Sequence, residues 1–100
     1  MENDSDHIYF VVILLPVESR ELTSEVIAKH AQHLRELDVD GNLVLAGPFT
    51  DHPTGMLVLR GKNKDEIKSI MEQDALIREG FRTFEIRTWL MSNRTNNYLP

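Results

Sequence analysis

The stretch IYFVVILLP, Ile8 to Pro16, decides the architecture. It is β-branched and aromatic, its apolar run is continuous rather than alternating, and a proline stops it. A strand with one wet face alternates, so this one reads as a central strand buried on both faces. Its eight apolar residues before the proline are far short of the roughly 20 needed to span a bilayer.

Downstream the period changes. Leu22, Val26, Ile27, His30, Leu34 and Leu37 recur at three- and four-residue steps, which predicts an amphipathic helix over 22–39. Thr23 or Ser24 would start it and Asp40-Gly41 would close it. Asn42 to Ala46 predicts a short strand running into Gly47-Pro48, where the proline removes a ladder donor. The loop FTDHPT then leads to a further short strand, Gly55 to Leu59, in hairpin relation to it. Asn63 with Glu66 makes a capping-box-like start to a second helix whose apolar stripe is Ile67, Ile70 and Met71. Gly80 ends that segment, and Phe81 to Leu90 reads as the last strand.

The order βαββαβ is the split pattern of an α+β, ferredoxin-like fold: a four-stranded antiparallel sheet with both helices on one face. Because the first strand is apolar on both faces, the second face of the sheet also needs a cover. A homodimer through sheet-to-sheet contact supplies one. Residues 1–6 are expected to be a flexible start, 7–90 the domain, and 91–100 a polar tail that is either flexible or packed on the partner subunit.

Composition narrows the partners. One hundred residues, 41% hydrophobic and 27% charged, with no low-complexity tract, make one globular domain with a modest core. Sixteen acids against 11 bases give a net charge of −5, and Lys62, Lys64 and Lys68 are interleaved with Asp65 and Glu66. That pattern argues against nucleic acid and anionic membrane as partners. Cysteine is absent, which removes disulfides, thiolate nucleophiles and cysteine zinc sites. The start MENDSD lacks the basic region of a secretory signal, so a cytoplasmic location is expected.

Two ionisable residues fall on apolar stripes. On a wheel at about 100° per residue with Val26 at zero, His30 lies at about 40°, between Leu37 and Leu34, while His33 lies at about 340°, at the margin. With Ile67 at zero on the second helix, Asp74 lies at about 340°, inside its stripe if the helix persists that far. A buried carboxylate pairs, hydrogen-bonds or takes up a proton, and two helices on one sheet face make His30 its natural partner. Such a pair suits general acid–base chemistry: the imidazole moves a proton near neutrality, and the carboxylate fixes its tautomer. The competing reading, which spacing alone favours slightly, is a structural His–Asp hydrogen bond that holds the two helices together.

His30, Gly41-Asn42-Leu43, Ala46-Gly47-Pro48-Phe49 with Asp51, Gly55-Met56, Asp74 followed by Gly80, and Ile86-Arg87-Thr88-Trp89 together resemble the YCII-related (YciI-like) family. The resemblance covers roughly residues 7–90. It implies a ferredoxin-like fold in the dimeric α+β barrel superfamily, and a site built on the helix-one histidine and an aspartate, here His30 and Asp74. One branch resembles a dehydrochlorinase, which implies proton transfer on a small, cyclic or aromatic organic molecule. One departure is plain: the family's Asp-Pro-aromatic motif is Asp74-Ala75-Leu76 here. Without the proline the turn presenting the carboxylate is expected to be looser.

Gly47, Pro48, Phe49 and Asp51 are the candidate substrate-binding residues, on a loop at a strand end. His30 and His33 lack a nearby third ligand for zinc, so no metal is expected, and no phosphate loop or dinucleotide fingerprint suggests a cofactor. Two functions are carried forward. One is a cofactor-independent lyase or isomerase using His30 and Asp74; the other is a non-catalytic ligand-binding or interaction module with a structural His–Asp pair.

Overall fold

Strand β1, Ile8–Pro16, occupies an inner position in the sheet, whose order is β2-β3-β1-β4. The other strands are β2 (Leu43–Pro48), β3 (Gly55–Leu59) and β4 (Arg82–Leu90). All neighbours pair antiparallel, with Val12 opposite both Leu57 and Ile86. The helices are α1 (Ser24–Val39), α2 (Lys64–Glu72) and a one-turn α3 (Ala75–Arg78). This is the expected ferredoxin-like α+β arrangement, seen here in a computed structural model that describes residues 7–18 and 20–99. The expected flexible start at residues 1–6, and the last residue of the tail, lie outside the described residues.

Local chemistry sets the boundaries. The Thr23 hydroxyl accepts from the Val26 amide at 3.1 Å, which makes it the N-cap of α1. At the other end Gly41 takes φ +82, and the amides of Asn42 and Gly41 bond back to the carbonyls of Leu37 and Asp38. That is a Schellman close, and it turns the chain directly into β2. Asn63 caps α2 by accepting from the Glu66 amide at 2.9 Å, while the Glu66 carboxylate reaches back to Lys62 N rather than to Asn63. Pro48 is tolerated because β2 is an edge strand.

The core lies between the helices and one sheet face. Phe10, Val12 and Leu14 of β1, Leu57 and Leu59 of β3 and Ile86 of β4 pack against Val26 and Leu37 of α1 and Ile67 and Met71 of α2. Each such fully buried side chain contributes roughly 1.5–3 kcal/mol of transfer free energy.

Within the single chain β1 is buried on its helix side, and Val11, Ile13 and Leu15, on the opposite parity, are half-buried, with no helix of the described residues over that face. Two expectations need correction. Helix α2 ends at Glu72, so Asp74 is not on its stripe. The last strand begins at Arg82 rather than Phe81. The tail runs back along its own chain: Met91 N bonds to His7 O, a 3-10 turn forms over Arg94–Asn96, and Thr95 Oγ1 lies 2.8 Å from His7 Nε2. Among the described residues no helix is long and apolar enough to cross a membrane.

Candidate active site

Asp74 is reached through a break between two helices. Gln73 caps α2, and Asp74 then adopts an extended backbone (φ −73, ψ 137) as N-cap of α3, its Oδ1 accepting from the Leu76 amide at 2.9 Å. The turn aims the other oxygen at α1. Oδ2 accepts from His30 Nδ1 at 2.8 Å and from His33 Nδ1 at 2.8 Å. The two histidines are neighbours on the helix surface, one turn apart. Their spacing grips a carboxylate between helices.

The carboxylate is fully buried, while the His30 and His33 side chains keep 20% and 13% exposure. Burial alone would raise the carboxyl pKa. The hydrogen bonds from His30 and His33, the charge of His30 and the Leu76 amide outweigh it and hold Asp74 at about 2, below its ordinary 3.8. At neutral pH the group is therefore ionised and can only accept. Both Nδ1 atoms must carry hydrogen, which leaves each Nε2 as the ring's free basic position.

Among the described residues neither Nε2 has a partner and no fully buried side-chain nitrogen lacks one, so both atoms keep some exposure. Their surroundings differ. His30 lines a cavity of about 400 Å³ walled largely by apolar groups, among them Leu14, Leu34, Leu57 and Leu76, with Thr54 and Arg82 as its other polar members. His33 lines a separate polar groove beside Lys29, Gln32, Glu36 and Arg78.

The structure brings only part of the expected binding loop to His30. Gly47 and Pro48 lie in the cavity wall with Gly55. A Cβ on Gly55 would collide with the Gly47 carbonyl and stand 2.8 Å from the Pro48 Cα, so the close approach of β2 and β3 there requires glycine. Phe49 and Asp51 are not in that wall: Phe49 faces a shallow depression with Leu45 and Val58, its ring edge-on to His52, and Asp51 is exposed. The loop closes on itself through Phe49 N to Thr54 O at 2.9 Å, which turns those two side chains outward.

Two site residues escaped the sequence reading. His33, which the wheel puts at the margin of the apolar stripe, is a full partner of Asp74. Arg82 is 8% exposed and lines the His30 cavity. Its parity was a readable signal, because in β4 it alternates onto the same side as Phe84 and Ile86, where a charge is out of place. Among the described residues no group of three or more His, Asp or Glu side chains is arranged to hold a metal ion.

Fold and geometry define a small ferredoxin-like α+β protein that presents a carboxylate-oriented histidine to an apolar cavity. Residues 8–90 match the YCII-related domain, and the chain belongs to that family. It is 25% identical over 80 residues to the uncharacterized protein YjpA of Bacillus subtilis, a match covering 80% of this chain and 94% of YjpA. In fold it is similar to 5-chloro-2-hydroxyhydroquinone dehydrochlorinase (TftG) of Burkholderia phenoliruptrix, solved in complex with 2,5-dihydroxybenzoquinone. The TM-score is 0.71 at 17% identity, over 85% of this chain and 95% of the other.

Proposed function

We propose that this protein is a cofactor-independent enzyme of the lyase or isomerase kind that moves a proton on a small cyclic or aromatic molecule held in the His30 cavity. The carrying observation is that His30 has Nδ1 fixed by a buried, ionised Asp74 while its ring lines that cavity and Nε2 is left over for a ligand. The neutral ring takes a proton from the substrate through Nε2, and the carboxylate stabilises the imidazolium that forms. Loss of a leaving group with the released electron pair gives elimination; return of the proton to another atom gives isomerisation. Gly47 and Pro48 shape the substrate site. The relationship to a dehydrochlorinase fold supports the elimination branch.

The working unit in this reading is a homodimer joined sheet to sheet, in a cytoplasmic setting that suits a chain without cysteine. Val11, Ile13, Met56, Val58 and Trp89 share the uncovered face, and Leu45 stands opposite Val58 on it.

Chloride release from 5-chloro-2-hydroxyhydroquinone tests the chemistry. His30→Gln should lower it by roughly 100-fold or more with the melting temperature little changed. Binding of that compound without turnover favours the second reading, a ligand-binding module. That reading draws on the family's Asp-Pro-aromatic motif standing here as Asp74-Ala75-Leu76, with Leu76 in the cavity wall. No binding at all, together with a loss of several kcal/mol on His30→Ala, would overturn the enzyme and leave an interaction module whose His–Asp pair is structural.

A further inference from the structure

We infer that Arg82 makes the His30 cavity selective for a small organic anion, a carboxylate or an ionised phenol or enol, by binding its negative oxygen. The inference rests on reading that cavity as the ligand site; it does not require turnover. Arg82 opens β4 and is 8% exposed. Its guanidinium is held by carbonyls alone: Nη1 donates to Phe81 O at 2.7 Å and to Arg20 O at 3.4 Å, and Nη2 donates to Pro53 O at 3.4 Å.

These contacts fix the group without neutralising it. No carboxylate of the described residues pairs with Arg82. A charge taken so far out of water ordinarily has a counter-ion. Among the described residues the Nε–H and the second hydrogen of Nη2 have no partner, and since no fully buried side-chain nitrogen there lacks one, Nε keeps some exposure. The space that Arg82 lines is the cavity that His30 also lines. A fixed guanidinium with unpartnered hydrogens on a largely apolar cavity suits a planar oxyanion, because the fork is oriented in advance.

The pairing also makes chemical sense of the His30 reading. Proton removal by Nε2 leaves negative charge on the substrate, and a cation on the same cavity stabilises an enolate or phenolate form. Thr54, the other polar lining residue, has its hydroxyl 3.0 Å from His52 Nδ1, so Arg82 is the cation available for the anion.

The test compares benzoate with its neutral analogue benzamide, both titrated into the full-length protein and followed by amide NMR shifts. Benzoate should bind about ten-fold or more tightly than benzamide, with shifts at Leu57, Leu76 and His30. Arg82→Gln should abolish that preference by weakening benzoate alone, and Arg82→Lys, which keeps the charge but loses the fork, should retain part of it. Should Arg82→Gln not fold, the wild-type preference and its change in Arg82→Lys still decide the matter. Equal affinities in the wild type, shifts mapping outside the cavity, no benzoate binding, or a preference that survives Arg82→Gln each overturn the assignment. His30→Gln separates this from the catalytic reading: losing turnover there while the benzoate preference persists leaves the anion site standing on its own.

Discussion

His33 Nδ1 and Asp74 Oδ2 meet at 2.8 Å, on the same oxygen that His30 uses. One carboxylate thus serves two imidazoles with a single negative charge. It compensates one imidazolium well, and a second would leave the buried cluster with net positive charge. His33 therefore shares the counter-ion of His30 while facing a different groove.

Removing that competitor has a direction. In His33→Ala, Oδ2 keeps one side-chain donor, so the Asp74 pKa should rise from about 2 toward its ordinary 3.8. The lost charge-assisted bond should destabilise the fold by about 1–3 kcal/mol. Carboxyl NMR titration and urea unfolding measure the two effects; an unmoved Asp74 titration would show that His33 contributes nothing to the carboxylate.

Acid should act through the same group. The folded-state pKa lies below the unfolded value, so the carboxylate adds stability that is fully present above the ordinary carboxyl range and is lost as pH falls through about 2. The shift corresponds to roughly 2 kcal/mol between neutral and strongly acid solution. Asp74→Asn should remove this component of the pH dependence, and at neutral pH it should destabilise by about 3–5 kcal/mol because a buried partner is lost. Denaturant midpoints measured from pH 7 down to about 2 compare the two proteins. A slope in the acid range identical in both would locate the acid sensitivity elsewhere.

Periodicity made the fold legible: the apolar run of β1 marked an inner strand, and the three- and four-residue steps of Val26, His30, Leu34 and Leu37 marked α1. The polar residues on those stripes exposed His30 and Asp74 as buried. The route by which Asp74 arrives there was hidden, because extending α2 past Glu72 assumes a continuous helix, and the chain instead breaks to make Asp74 an N-cap. That break also carries the carboxylate between His30 and His33, which a wheel drawn for one helix cannot show. Arg82 was missed for a different reason: a single charge at a strand start is usually solvent-facing, and its burial depends on the Pro53 and Arg20 carbonyls that only tertiary contact supplies.

The turn at Asp74 forms without the family's proline. Ala75 stands at N1 of α3, where the amide has no intrahelical partner and proline's fixed φ is tolerated, and Asp74 already has the extended backbone that a residue before proline prefers. Ala75→Pro should therefore stabilise the protein by about 0.4–1 kcal/mol through the unfolded state and leave the His30–Asp74 contact intact. Thermal unfolding reads the gain. A loss of stability instead would show that the Ala75 backbone departs from the φ that proline imposes.

The uncovered sheet face yields the last prediction. Val11 sits between Val58 on β3 and Arg87 on β4, and Trp89 beside this strip is 45% exposed. An apolar face of this kind is stable in water when it is covered, and a second copy presents the same surface in reverse. Val11→Lys places a cation opposite Arg87 at the middle of the proposed seam while leaving Phe10, Val12 and Leu14 in the core. Sedimentation should give the mass of two chains for the wild type and of one for the variant, with far-UV dichroism unchanged because the helix-side core is untouched. A wild type that sediments as a single chain at micromolar concentration would remove the dimer from the proposal, and the face would then need another cover.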